Sequence, residues 1–77
     1  MNEEEFEREW REITEKSDGY VDAEIVLKDG NVIYCDSYNF INGKLELYSL
    51  HLLVAVLNVS TVKSINQYYP IEGDLNE

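Results

Sequence analysis

The stretch YVDAEIVLKDGNVIYCDSYNFINGKLELYSL, residues 20–50, decides the fold. Val21, Ala23, Ile25 and Leu27 point one way and Asp22, Glu24 and Lys28 the other, the period of two that a half-buried strand requires. Asp29-Gly30 then reads as a tight hairpin turn, in which both central residues need positive φ. The next strand, Val32–Ile41, carries Val32, Tyr34, Tyr38 and Phe40 on one face and Ile33, Cys35 and Ile41 on the other. Both faces are partly apolar, which implies a long bent strand or a bulge that exchanges faces midway. Asn42-Gly43 is a second hairpin signal. It leads into Lys44–Leu50, with Leu45 and Leu47 on one face and Lys44, Glu46 and Tyr48 on the other.

Working outward toward the C-terminus, Ser49–His51 is a weak break before the continuous apolar run Leu52–Leu57. That run reads as a strand buried on both faces or as an interface strand. Left at an edge, Leu50–Val56 invites pairing with a second copy of the chain. Asn58–Thr61 reads as a brief turn, or one turn of 3₁₀ helix, before a last strand at Val62–Tyr68. Pro70 stops it, and residues 70–77 form a fraying acidic tail.

Toward the N-terminus, residues 3–16 read as a helix. Asn2 caps it with Glu5 as the reciprocal partner, and Glu3, Glu4 and Glu5 sit where the helix dipole favours negative charge. Glu4–Arg8, Glu7–Arg11 and Glu12–Lys16 are pairs four residues apart, each adding about 0.2–0.5 kcal/mol. Asp18-Gly19 ends the helix. Phe6, Trp10 and Ile13 make a narrow apolar stripe that must dock on something else to be stable. The expectation is therefore an α+β fold of one domain, residues 1–77: an N-terminal amphipathic helix packed on a β-meander over residues 20–69. The meander is expected to be a five-stranded antiparallel barrel or a strongly bent sheet.

Charge narrows the partners. Sixteen acids against six Lys and Arg give a net charge of −10 in only 77 residues. Such a body repels nucleic acid and anionic membrane and favours a basic protein surface. One cysteine, Cys35, leaves no disulfide framework, and the acidic opening is unlike a secretory leader, so the expected location is the cytoplasm.

No catalytic, cofactor or metal-binding signature is present. Cys35 and His51 are the only thiol and imidazole; Cys35 lies among apolar neighbours as a packing residue, and His51 at a polar turn. One of each falls short of a zinc site. The acids Asp22 and Glu24 alternate with apolar residues, which sets them in open solvent, where a general acid–base pair has no reason to be tuned. Their spacing has another use. Alternate strand residues lie about 6.6–6.8 Å apart, comparable with the stepping of charges along a nucleic-acid backbone. With Glu3, Glu4, Glu7 and Glu12 of the helix they form a candidate patch for a basic groove, against the plainer reading of solubilising charge on all faces. Tyr34 and Tyr48 join the candidate contacts, because tyrosine beside acids suits an Arg- or Lys-rich surface; the plainer reading is partly buried rings with wet hydroxyls.

Ile25-Val-Leu-Lys-Asp-Gly-Asn-Val-Ile33 resembles the first hairpin of Sm-like small β-barrel domains, and Val59-Ser-Thr-Val-Lys-Ser-Ile65 resembles their closing turn and strand. The resemblance covers roughly residues 3–69 and implies a five-stranded barrel. The family's RNA-binding members carry an Arg-Gly pair before the last strand; Leu57-Asn58-Val59-Ser60 has none, so RNA binding is not carried over. By size and charge alone, the chain also resembles small acidic phage-encoded anti-defence (anti-CRISPR-like) proteins, nucleic-acid mimics and immunity proteins. The expected function is a non-enzymatic inhibitor that blocks a basic surface of a partner protein, a nucleic-acid-binding enzyme being the natural target. The alternative is a Sm-like module for ligand binding or homo-oligomerisation.

Overall fold

The computed structural model describes residues 1–16 and 22–68. Within them lie helix α1 (Glu3–Lys16) and strands β1 (Asp22–Leu27), β2 (Val32–Cys35), β3 (Ser37–Ile41), β4 (Lys44–Ser49) and β5 (Leu52–Leu57). A 3₁₀ turn at Val59–Thr61 leads into the last strand, β6 (Val62–Tyr68). The Asp18-Gly19 helix stop and the acidic tail from Pro70 onward fall outside the described residues.

The expected five-stranded Sm-like barrel, or single bent sheet, does not form. Among the described residues six strands make two three-stranded antiparallel sheets, ordered β2-β1-β6 and β3-β4-β5, that do not close into a barrel. Asp36 is the physical reason. Ile33 and Cys35 pack into the core before it, and Tyr38 and Phe40 after it, so the inward parity changes at this residue. Its N–H donates to the Tyr48 carbonyl at 2.8 Å, while its carboxylate accepts from the Leu50 N–H at 3.0 Å and the Ser37 hydroxyl at 3.2 Å. These bonds hold the backbone polar groups as the chain passes from one sheet to the other.

Reciprocal bonds close the N-terminus of α1: the Glu5 N–H donates to Asn2 Oδ1 at 2.8 Å, and the Asn2 N–H to Glu5 Oε1 at 2.9 Å. Phe6 is fully buried, with its ring 4.9 Å from Tyr38 and 5.8 Å from Phe40, and Trp10 lies 4.8 Å from Tyr38. Burying one such ring is worth about 1.5–3 kcal/mol, which fastens a helix that would be marginal alone. Because α1 also contacts β6, it bridges the two sheets over their common core. That core is Phe6, Ala23, Ile25, Cys35, Leu45, Leu47, Val62 and Ile65; β5 contributes none of it.

Two bulges set which side chains face in. In β6 the pairing moves from Leu27–Val62 to Val26–Ser64, leaving Lys63 unpaired, so Val62 and Ile65 both reach the core. In β5 it moves from Leu47–Ala55 to Tyr48–Leu53, leaving Val54 unpaired, so Leu53 and Val56 share the outer face with Tyr48 and Glu46.

The hairpin turns differ from one another. At Asp29-Gly30 only Gly30 has positive φ (95°), because Asp29 Oδ1 accepts the Asn31 N–H at 2.9 Å and the loop opens to three residues. Asn42-Gly43 is the expected two-residue turn, at φ 52° and 78°. A further two-residue turn joins β4 to β5, with Leu50 at φ 52° and His51 at φ 69°. No helix among the described residues is long and apolar enough to cross a membrane.

Candidate functional site

The outer face of the β2-β1-β6 sheet gathers the acids and tyrosines of three strands. Ala23 and Ile25 point into the core, which turns Asp22 and Glu24 outward on the central strand. Glu24 pairs with Tyr34 of β2 and Asn66 of β6, and Asp22 with Tyr68. The rings of Tyr34 and Tyr68 meet across β1, their centroids 4.6 Å apart. Asn66 Nδ2 donates to Glu24 Oε1 at 3.3 Å. Tyr34 is 49% exposed, so its ring face is open to a partner.

At the end of this face lies a cleft of about 260 Å³. Asp22, Tyr34 and Tyr68 form its sheet wall; Asp36, Ser49 and Leu50 form the opposite wall, with Cys35 between. One carboxylate and two phenols on one side, with Asp36 and the 77%-exposed Leu50 on the other, suit a cationic group carried on an apolar stem.

The other expected contact residues lie elsewhere. Glu3, Glu4, Glu7 and Glu12 are exposed on α1, which covers the core side of the sheets, whereas Asp22 and Glu24 point away from the core. The helix acids and the strand acids therefore occupy different faces. Tyr48 lies on the outer face of the second sheet, where its hydroxyl donates to Glu46 Oε1 at 2.6 Å; that bond, with some desolvation and the Glu46 charge, raises its pKa. Tyr38, half-buried under α1, is raised by burial and by Glu7, with Arg11 opposing.

Cys35 is buried, and its thiol pKa is pushed up to about 12, by burial first and then by the negative charges of Asp36 and Asp22. Such a thiol stays protonated at neutral pH and is a poor nucleophile. His51 is exposed at the tip of the β4–β5 turn. Among the described residues no three His, Cys, Asp or Glu side chains converge as a metal site would require.

Sequence reasoning missed Asp36, and it placed Leu50 in a pairing edge, Leu50–Val56, but not in the cleft. Asp36 is the one acid between two apolar half-strands, and the parity exchange around it was the available signal. Leu50 gave none for the cleft. Comparison with protein-family models, with curated proteins and with solved structures finds no match.

Proposed function

We infer that this chain is a non-enzymatic binding protein that occupies a basic surface of a partner protein, as small acidic inhibitors and immunity proteins do. The observation that carries the reading is the convergence of Asp22, Glu24, Tyr34 and Tyr68 on one open face beside the cleft. Charged rows flanked by aromatic rings are suited to arginine and lysine, which stack on tyrosine while pairing with carboxylates. A net charge of −10 steers a basic partner in from a distance, at a rate that falls as salt rises. A groove that normally holds nucleic acid is the natural complement, and the partner would be a nucleic-acid-handling protein.

The test is capture from nuclease-treated cell lysate at low and high salt, with Glu24→Lys, Tyr34→Ala and Glu12→Lys variants alongside the wild type. Salt-sensitive retention of one basic protein, lost with Glu24→Lys and Tyr34→Ala but kept with Glu12→Lys, supports the strand face. Loss only with Glu12→Lys moves the contact to the helix acids. Retention that ignores both salt and charge reversal defeats the reading.

A second reading, a binding module that works through a sheet edge, is favoured by β5. It hydrogen-bonds to β4 on one side, no described strand pairs with its other side, and it exposes Leu52, Leu53, Val54 and Val56.

A further inference from the structure

We propose that the β5 edge is a homodimer interface, with β5 of one copy pairing antiparallel to β5 of a second copy about a two-fold axis. This rests on the edge-strand reading and not on the basic-partner reading, whose Asp22 and Glu24 face belongs to the other sheet; Leu50 lies beside both.

An edge strand presents a row of unpaired N–H and C=O groups, and natural sheets guard such rows with lysine, proline, inward charges or a covering element. Among the described residues none of these guards stands on the free side of β5. Leu52 is 69% exposed, Leu53 and Val56 52% and Val54 48%, and Leu50 at the preceding turn is 77% exposed. Residues 47–62 contain no Asp, Glu, Lys or Arg, although 22 of the 77 residues are charged. The strand thus lies in the longest uncharged stretch of a strongly acidic sequence.

That neutrality selects the occupant. A basic protein gains from meeting the acidic faces and gains no ion pair at β5, where it would have to desolvate its own charges. A second copy, at −10, is repelled by every acidic face of the first and can approach closely only along the uncharged strand. Antiparallel self-pairing sets the apolar row of one β5 against the same row of the other, the isologous arrangement of two-fold dimers. Head-to-tail pairing would instead oppose β5 to one of the other edge strands, β2, β3 or β6; at β3 it would meet Ser37 and Asn39, and at β6 Lys63, Asn66 and Gln67, setting polar side chains against leucine and valine. The Val54 bulge adds to the match: with Leu53 and Val56 turned to the outer face, the joined sheet presents a continuous apolar seam across the axis.

The experiment is sedimentation equilibrium of the full chain over a range of concentrations, with amide hydrogen exchange of β5 followed in the same range. The expected result is a mass twice the 9.0 kDa of one chain, with β5 amides whose protection rises with concentration. Val56→Lys should weaken the dimer by at least about tenfold in dissociation constant, and Val56→Thr, which keeps the β-branched shape, by less. Far-UV circular dichroism shows whether each variant is folded, and the wild-type exchange data stand without any variant. A monomer at all concentrations, a larger ring or filament, or β5 protection independent of concentration overturns the proposal. A folded Val56→Lys that dimerises as the wild type does overturns it too. The Glu24→Lys capture experiment is untouched by any of these results, so the two readings fail separately.

Discussion

Phe6 and Tyr38 meet edge to face, ring centroids 4.9 Å apart at an interplanar angle of 73°, and through this contact the N-terminal helix grips the second sheet. Edge-to-face pairs gain about 0.5–1.5 kcal/mol beyond the area they bury. Since Phe6 is also the only fully buried residue of α1, Phe6→Ala should cost about 3–5 kcal/mol. A chain of 77 residues has about 4–12 kcal/mol in all, so the variant should be marginal or unfolded. Urea titrations followed by Trp10 fluorescence check this. Tyr38→Phe, which keeps the ring, should lose less than about 1 kcal/mol.

The capping box gives a milder expectation. Asn2 and Glu5 exchange bonds of 2.8 and 2.9 Å on an exposed helix end, with no core packing to compensate for their loss. Asn2→Ala should cost about 1 kcal/mol and Asn2→Ser almost nothing. Equal stability of all three proteins by urea unfolding would mean that the helix end frays in solution.

The helix and most of the strands were legible in the sequence because local chemistry specifies them: a cap and dipole-matched acids for α1, and period-two alternation for β1 and β4. Asn42-Gly43 was legible for the same reason. What the sequence left open was parity. The residues around Asp36 showed apolar character on both faces, which suits either one bent strand or two strands in different sheets. The choice rests on bonds from Asp36 to Tyr48 and Leu50, partners 12 and 14 positions away. The bulges at Lys63 and Val54 were hidden likewise, since a skipped ladder position leaves no residue-type signature in valine or lysine. For the site, alternation correctly set Asp22 and Glu24 outward. Only the sheet order could separate them from Glu3, Glu4, Glu7 and Glu12 and bring Tyr68 beside Tyr34.

Cys35 predicts an alkaline dependence. Its thiol ionises at about 12 in the fold against an ordinary 9.0, chiefly because of burial and secondarily because of Asp36 and Asp22. Below pH 9 both folded and unfolded thiols are protonated and the contribution to stability is fully present. Between pH 9 and about 12 only the unfolded thiol ionises, so stability falls as pH rises, by at most about 1.4 kcal/mol per unit from this group. Tyr38, raised by burial and by Glu7, acts in the same sense. Urea unfolding at pH 8, 9.5 and 11 should show a shallower decline for Cys35→Ala than for the wild type. Parallel declines would show that the thiol ionises in the fold as it does in the open chain.

The turn between β4 and β5 holds the last expectation. Leu50 and His51 both adopt positive φ, at 52° and 69°, where an L-residue other than glycine or asparagine is strained by about 1 kcal/mol or more. The comparable turn at residues 42–43 uses Asn-Gly and avoids the cost. Replacing Leu50→Asn and His51→Gly together leaves the bond from the residue-50 N–H to Asp36 in place, because its donor is backbone. The gain should be about 1 kcal/mol after allowing for the freer unfolded chain that glycine brings, which in a domain of this size raises Tm by about 4–8 °C. The same change removes the most exposed leucine among the described residues, from the wall of the cleft and the approach to the β5 edge. A strained turn that carries an exposed leucine is the combination expected where binding, rather than stability, sets the residue. The double variant should therefore be more stable but bind less well, whether the readout is capture of a basic protein or self-association. A variant that is stabilised and binds unchanged would make Leu50 a bystander, and one that is destabilised would remove the strain argument itself.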